Sequence, residues 1–174
     1  VRLVRATWAG PGQLPVTVSS GAHRMGRMDF DNLMFAGRKG YSPMAAYGRS
    51  KLANLLFTYE LQRRFEAART NTIAIAAHPG FSDTNLVYHL FKRWHVEALR
   101  PVLGWVAQSP AMGALPSIRA AVDPNVRGGA YFGPHGPFET RGYPVQVSSS
   151  AAAHNRADAV RLWQVSEELT AVRY

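Results

Sequence analysis

Two residues four positions apart, Tyr47 and Lys51, carry the clearest chemical potential in the sequence. On a helix that spacing sets both side chains on one face, about one turn apart. An ammonium beside a phenol favours the phenolate. A phenol so placed can pass a proton to or from an alcohol or carbonyl near neutral pH. Gly48 and Ser50 lie between the pair, so a ligand has room to approach that face. Taken alone, Y-x-x-x-K is a weak signal, because a Tyr and a Lys at this spacing mostly do nothing together.

The surrounding elements give the pair a context. Ala45 to Ala68 repeats Leu52, Leu55, Leu56, Tyr59 and Phe65 at three- and four-residue steps, which predicts a helix. Leu14 to Ser20 is a β-branched run that reads as a buried parallel strand, with Pro15 tolerable near its start. Asn71 to Ala77 reads as a second strand and Gly129 to Gly133 as a third. Further helices are expected over Pro110 to Val122 and His154 to Thr170, with mixed amphipathic signals over 83–107. Residues 1–13 show no period, and 134–153 read as loop. Alternating strands and helices predict an α/β fold with a parallel sheet and helices on both faces. In such sheets ligands bind outside the carboxyl ends of the strands. Ser19-Ser20 and His78-Pro79-Gly80 both fall at such ends, so three polar elements converge on one sheet edge.

The segments VTVSSGAH, AAYGRSKLANLLFTYEL and HPGFSDTNL resemble the short-chain dehydrogenase/reductase family, in its retinol dehydrogenase-like and WW-domain oxidoreductase-like branch. GGAYFGP and RLWQVSEEL resemble that branch's last strand and helix, so the likeness covers about residues 14–172. It implies a Rossmann-like doubly wound sheet, seen as its last three strands with their flanking helices. It implies an oxidoreductase that interconverts an alcohol and a carbonyl with NAD or NADP, on a lipophilic small molecule. Ser20 would orient the substrate oxygen. Tyr47 would be the general acid/base. Lys51 would assist the phenol and hold the nicotinamide ribose. Pro79 and Gly80 would pass beside the nicotinamide, and Thr84 would contact the cofactor. The aromatics Tyr88, Phe91, Trp94 and Trp105 fall where the family has its substrate-binding segment. The family's Gly-rich fingerprint, G-x-x-x-G-x-G, does not occur in the chain. The expectation is therefore a C-terminal catalytic part, inactive alone, whose first strand has a bare edge.

Composition narrows the alternatives. The 174 residues are 47% hydrophobic, enough for one globular domain. The absence of cysteine excludes disulfides, thiolate metal sites and a cysteine nucleophile. His89, His95 and Glu97 match no zinc spacing, so no metal is expected. His23 and Arg24 read as a solvated loop, and His78 as a packed or hydrogen-bonded histidine. The net charge of +9 comes from scattered arginines without interleaved aromatics, so a nucleic-acid partner rests on charge alone and is not expected. No run reaches the ~18 apolar residues of a membrane span. A cytoplasmic location is the default expectation. The competing reading is a non-enzymatic fragment that dimerises through its open sheet edge.

Overall fold

The computed structural model describes residues 14–81 and 107–173. Four strands form one sheet in the order β1 (Val16–Val18), β2 (Ile75–Ala77), β3 (Tyr131–Pro134) and β4 (Pro144–Gln146). The first three are parallel, with Val18 opposite Ala77 and Ala77 opposite Phe132. β4 returns antiparallel beside β3, with Gly133 opposite Val145. This corrects the reading of 134–153 as loop and brings the strands among the described residues to four. Three residues offer too little alternation to register as a strand by period. Their pairing is supplied instead by the hairpin that begins at Pro134. Among the described residues β1 pairs only with β2, so its other edge is bare, as expected.

Helix α1 (Pro43–Ala67) connects β1 to β2. Ser42 caps it by accepting a hydrogen bond from Ala45 N at 3.1 Å, and Pro43 occupies its first turn. Its leucine stripe suits a helix, because apolar side chains not branched at Cβ lose little rotamer freedom there. Helix α2 (Pro110–Val122) is capped by Ser109, and helix α3 (Arg156–Thr170) by Asn155.

Strand side chains alternate between faces, and the two faces receive different helices. Ala76 and Tyr131 pack with Leu52, Leu55, Leu56 and Tyr59 of α1 and with Ala159 and Leu162 of α3. Ile75, Ala77 and Phe132 pack with Ala120 of α2 on the opposite side. The result is the three-layer α/β arrangement expected from the alternation of elements. Phe57 of α1 stacks on Trp163 of α3 with ring centroids 5.4 Å apart, and Arg64 lies over the same indole. Among the described residues, no helix is long and apolar enough to cross a membrane.

Candidate active site

The carboxyl ends of β1 and β2 lie side by side, since Val18 and Ala77 are in register. Ser19 N continues the ladder by donating to Ala77 O at 2.8 Å. Ser20 follows directly, at the start of a 3₁₀ turn over Gly21–Met25. Its hydroxyl oxygen accepts from Ala22 N at 3.2 Å, the bond a serine makes when it caps a turn. That leaves the hydroxyl proton available for another acceptor.

The turn is pressed onto α1 at Gly48, within the Tyr47–Lys51 interval. A Cβ at Gly26 would strike the Gly48 carbonyl and the Leu52 side chain, and one at Gly48 would crowd Ala22 O at 3.0 Å. Two glycines facing each other permit this approach. The buried Ser19 hydroxyl donates to Lys51 O at 2.9 Å, fastening strand end to helix a second time.

Tyr47 and Lys51 are both half-buried on α1, and Lys51 Nζ stands 5.5 Å from the centroid of the Tyr47 ring. Phenol and ammonium therefore share one helix face beside the serine-bearing turn. Lys51 Nζ also donates to Val18 O at 3.4 Å, and Asn54 Nδ2 donates to the same carbonyl at 2.9 Å. In a parallel ladder successive residues point to opposite neighbours. Ser19 N turns towards β2, so Val18 turns to the bare edge, and these two side chains cover its carbonyl. Burial lowers the pKa of Lys51 from its ordinary 10.5. Its ammonium has three protons and makes one long hydrogen bond among the described residues.

At the end of β2, His78 is buried and Pro79-Gly80 turn away from the strand. Gly80 has φ 68°, and a Cβ there would collide with Thr140 O. Thr140 O accepts from Phe81 N at 2.7 Å, and Pro79 O accepts from Gln108 Nε2 at 2.7 Å. The carboxylate of Glu139 accepts from His78 Nε2 at 3.0 Å and from Arg24 at 3.1 Å. Gly80 N donates to His78 Nδ1 at 3.2 Å, which assigns the His78 proton to Nε2. Glu139 and Gln108 had no local signal in the sequence, because their partners lie 61 and 29 residues away.

The structure thus gathers Ser20, Tyr47 and Lys51 on one seam and sets Pro79 and Gly80 on the neighbouring strand end. Thr84, the aromatics Tyr88, Phe91, Trp94 and Trp105, and His89, His95 and Glu97 lie outside the described residues, as do residues 1–13. His23, expected in a solvated loop, is instead fully buried. His78 is packed and hydrogen-bonded, as its place before Pro-Gly suggested.

No protein-family profile matches the chain. Curated proteins do. The human polyprenol dehydrogenase is 35% identical over 158 residues, 90% of this chain and 44% of that protein. The human retinol dehydrogenase 14 is 37% identical over 155 residues, 87% of this chain and 42% of that protein. The chain belongs to the short-chain dehydrogenase/reductase family. Bovine dehydrogenase/reductase SDR family member 13 is 34% identical across 96% of the chain. A solved structure of an uncharacterised protein from Mycobacterium paratuberculosis superposes with a TM-score of 0.65 at 37% identity, covering 92% of this chain and 51% of that one. The chain spans about half the length of the short-chain dehydrogenase/reductase relatives it matches.

Proposed function

We propose that this chain carries the acid–base half of an NAD(P)-dependent oxidoreductase that interconverts a lipophilic alcohol and its carbonyl. The observation that carries the reading is the Lys51 ammonium 5.5 Å from the Tyr47 ring, on the helix that clamps the serine-bearing strand end. The donor set suits a nicotinamide riboside. An ammonium with protons to spare suits vicinal hydroxyls.

In this reading Tyr47 Oη gives its proton to the carbonyl oxygen during reduction and recovers one from the alcohol during oxidation. Lys51 offsets the negative charge left on the phenol. Ser20 donates its hydroxyl proton to the reacting oxygen while Ala22 N holds the lone pair on the other side. A bound nicotinamide supplies or accepts the hydride. Lys51 would hold its ribose, with Pro79, Gly80 and Thr84 alongside. The names of the relatives, polyprenol and retinol dehydrogenases, favour a long apolar alcohol or aldehyde. The chain alone turns over nothing, since the pyrophosphate of a dinucleotide needs a Gly-rich turn at a helix N-terminus, and the sequence holds no such motif.

The test joins the chain to the N-terminal half of human retinol dehydrogenase 14 and follows NADH and NADPH absorbance with lipophilic aldehydes. Turnover is expected from the fusion and none from the chain alone. Tyr47→Phe should lower kcat by about 10²–10⁴-fold. A folded fusion that reduces none of a broad aldehyde panel overturns the reading.

A further inference from the structure

Three residues beyond Ser20 sits His23, with none of its surface exposed to solvent. A buried imidazole must satisfy both ring nitrogens, and each has one partner here. Nδ1 lies 2.7 Å from Ser20 O, and Nε2 lies 3.1 Å from Ser150 N. The partners dictate the proton. A carbonyl only accepts, so Nδ1 carries the hydrogen; a backbone N–H only donates, so Nε2 is bare. The ring is therefore neutral, and burial acts in the same direction by lowering its pKa. Tyr131 packs edge-on against it with centroids 5.7 Å apart.

The backbone N–H of His23 also donates to Ser20 O, at 3.0 Å. Both lone pairs of that carbonyl are thus taken by one residue, through its main chain and its ring. The preceding peptide is fixed by Ser19 N on Ala77 O, and the Ser20 hydroxyl by Ala22 N. Among the described residues the Ser20 carbonyl and hydroxyl oxygens both have donors, and the hydroxyl proton is left for another acceptor. Of these ties the Nε2 hydrogen bond of the ring reaches furthest along the chain, to the segment 127 residues later that follows β4.

We propose that His23, held as the neutral Nδ1–H tautomer between Ser20 O and Ser150 N, is a positioning residue for the Ser20 hydroxyl. This rests on the reading of Ser20 as the group that orients the substrate oxygen. The ring sets the peptide plane from which the serine side chain projects, and it anchors that plane to the C-terminal side of the sheet.

The experiment has two arms. Long-range ¹H–¹⁵N spectra of the full chain at pH 7, with the His23 signals assigned by their loss in His23→Asn, read the tautomer. A protonated Nδ1 beside an unprotonated Nε2 is expected. An Nε2–H tautomer or a charged ring overturns the proposal whatever the activity. The second arm uses the active fusion. His23→Asn keeps an amide donor near Nδ1, whereas His23→Gln places its amide oxygen near Nε2 and leaves Ser20 O without a ring donor. Asn should retain kcat within about fivefold, while Gln should lose roughly 10–100-fold in kcat with KM for the dinucleotide unchanged, the scale of a small misplacement of a reacting group. Equal losses that track urea stability overturn the positioning role. The expected tautomer together with an inconsequential Ser20→Ala places the failure in the proposed function instead.

Discussion

The two strand ends that meet at the site are supported in different ways. The end of β1 is held by the helix that follows it, through Ser19, Lys51 and Asn54 and through the contact of Gly26 with Gly48. The end of β2 is held by distant segments, through Glu139, Thr140 and Gln108. The first support rests on one long helix, with Gly26 packed directly on the Gly48 backbone. The second rests on short segments between elements, at Gln108 and at Glu139 and Thr140. The difference predicts a stiff serine end and a softer Pro-Gly end.

The largest expected effect tests the stiff end. Gly26→Val drives a Cβ into the Gly48 carbonyl and the Leu52 side chain, and overpacking against main chain should cost about 3 kcal/mol. Urea unfolding reads the loss. Backbone amide shifts should change over Ser19–Gly26 and the Tyr47–Leu52 turn while those of Gly80 and Phe81 stay put. Shifts spread equally over both strand ends would erase the distinction.

Glu139→Ala attacks the other end. It leaves the Nε2–H of buried His78 without an acceptor, a loss of about 2 kcal/mol. Here the amides of Gly80 and Phe81 should move and those of Ser20 and Ala22 should not. Glu139→Gln keeps an oxygen for His78 and should recover most of the stability.

Acid probes both ends together, because each contains one buried neutral histidine. Burial is the main cause that holds the pKa values of His23 and His78 below their ordinary 6.5, with Arg24 adding to it and Glu139 opposing it. In the unfolded chain both rings protonate near 6.5. Between that value and the depressed folded values the unfolded state binds more protons, so stability rises with pH there. The contribution is complete above about 6.5 and is lost as pH falls through the window, and the rings add no further loss below their folded pKa values. Urea midpoints at pH 7.5 and pH 5 should differ. His23→Asn and His78→Gln should each flatten the dependence by about one proton. A pH-independent midpoint for the parent chain would show that the rings titrate alike in both states.

The contrast between the ends also explains what was legible in the sequence. The stiff end was readable because its signals are local. Leu52, Leu55 and Leu56 announce α1, expected from Ala45 and observed from Pro43, and the Tyr47–Lys51 spacing its chemical face. Helix α2 was expected over the residues it occupies, between Ser109 and Asp123. Strand limits were overdrawn, with 14–20 expected and Val16–Val18 observed, the span of the three β-branched residues. At the softer end His78-Pro79-Gly80 was readable, and its supports were not. Glu139 is an ordinary loop carboxylate until the hairpin brings it to His78. β4 has no pattern of its own and exists because β3 offers an edge. His23 looked solvated because the Ser148–Ala153 segment that buries it lies far along the chain.

The smallest effect expected lies where the two supports touch. Arg24 lies in the serine turn, yet its guanidinium reaches Glu139 Oε1 at 3.1 Å and Ser148 O at 2.7 Å. It is the one ion pair among the described residues that joins the β1 end to the β2 end. Nearly half of the Arg24 side chain is exposed, so water and salt screen the attraction. A double-mutant cycle of Arg24→Ala with Glu139→Gln should return a coupling under about 1 kcal/mol. The coupling should shrink further in 1 M salt, because it is chiefly electrostatic. If the cycle instead returned about 2 kcal/mol or more, insensitive to salt, the two ends would be one cooperative unit. The stiffness of the serine end would then have to be assigned partly to Glu139 and not to the glycine contact on α1 alone.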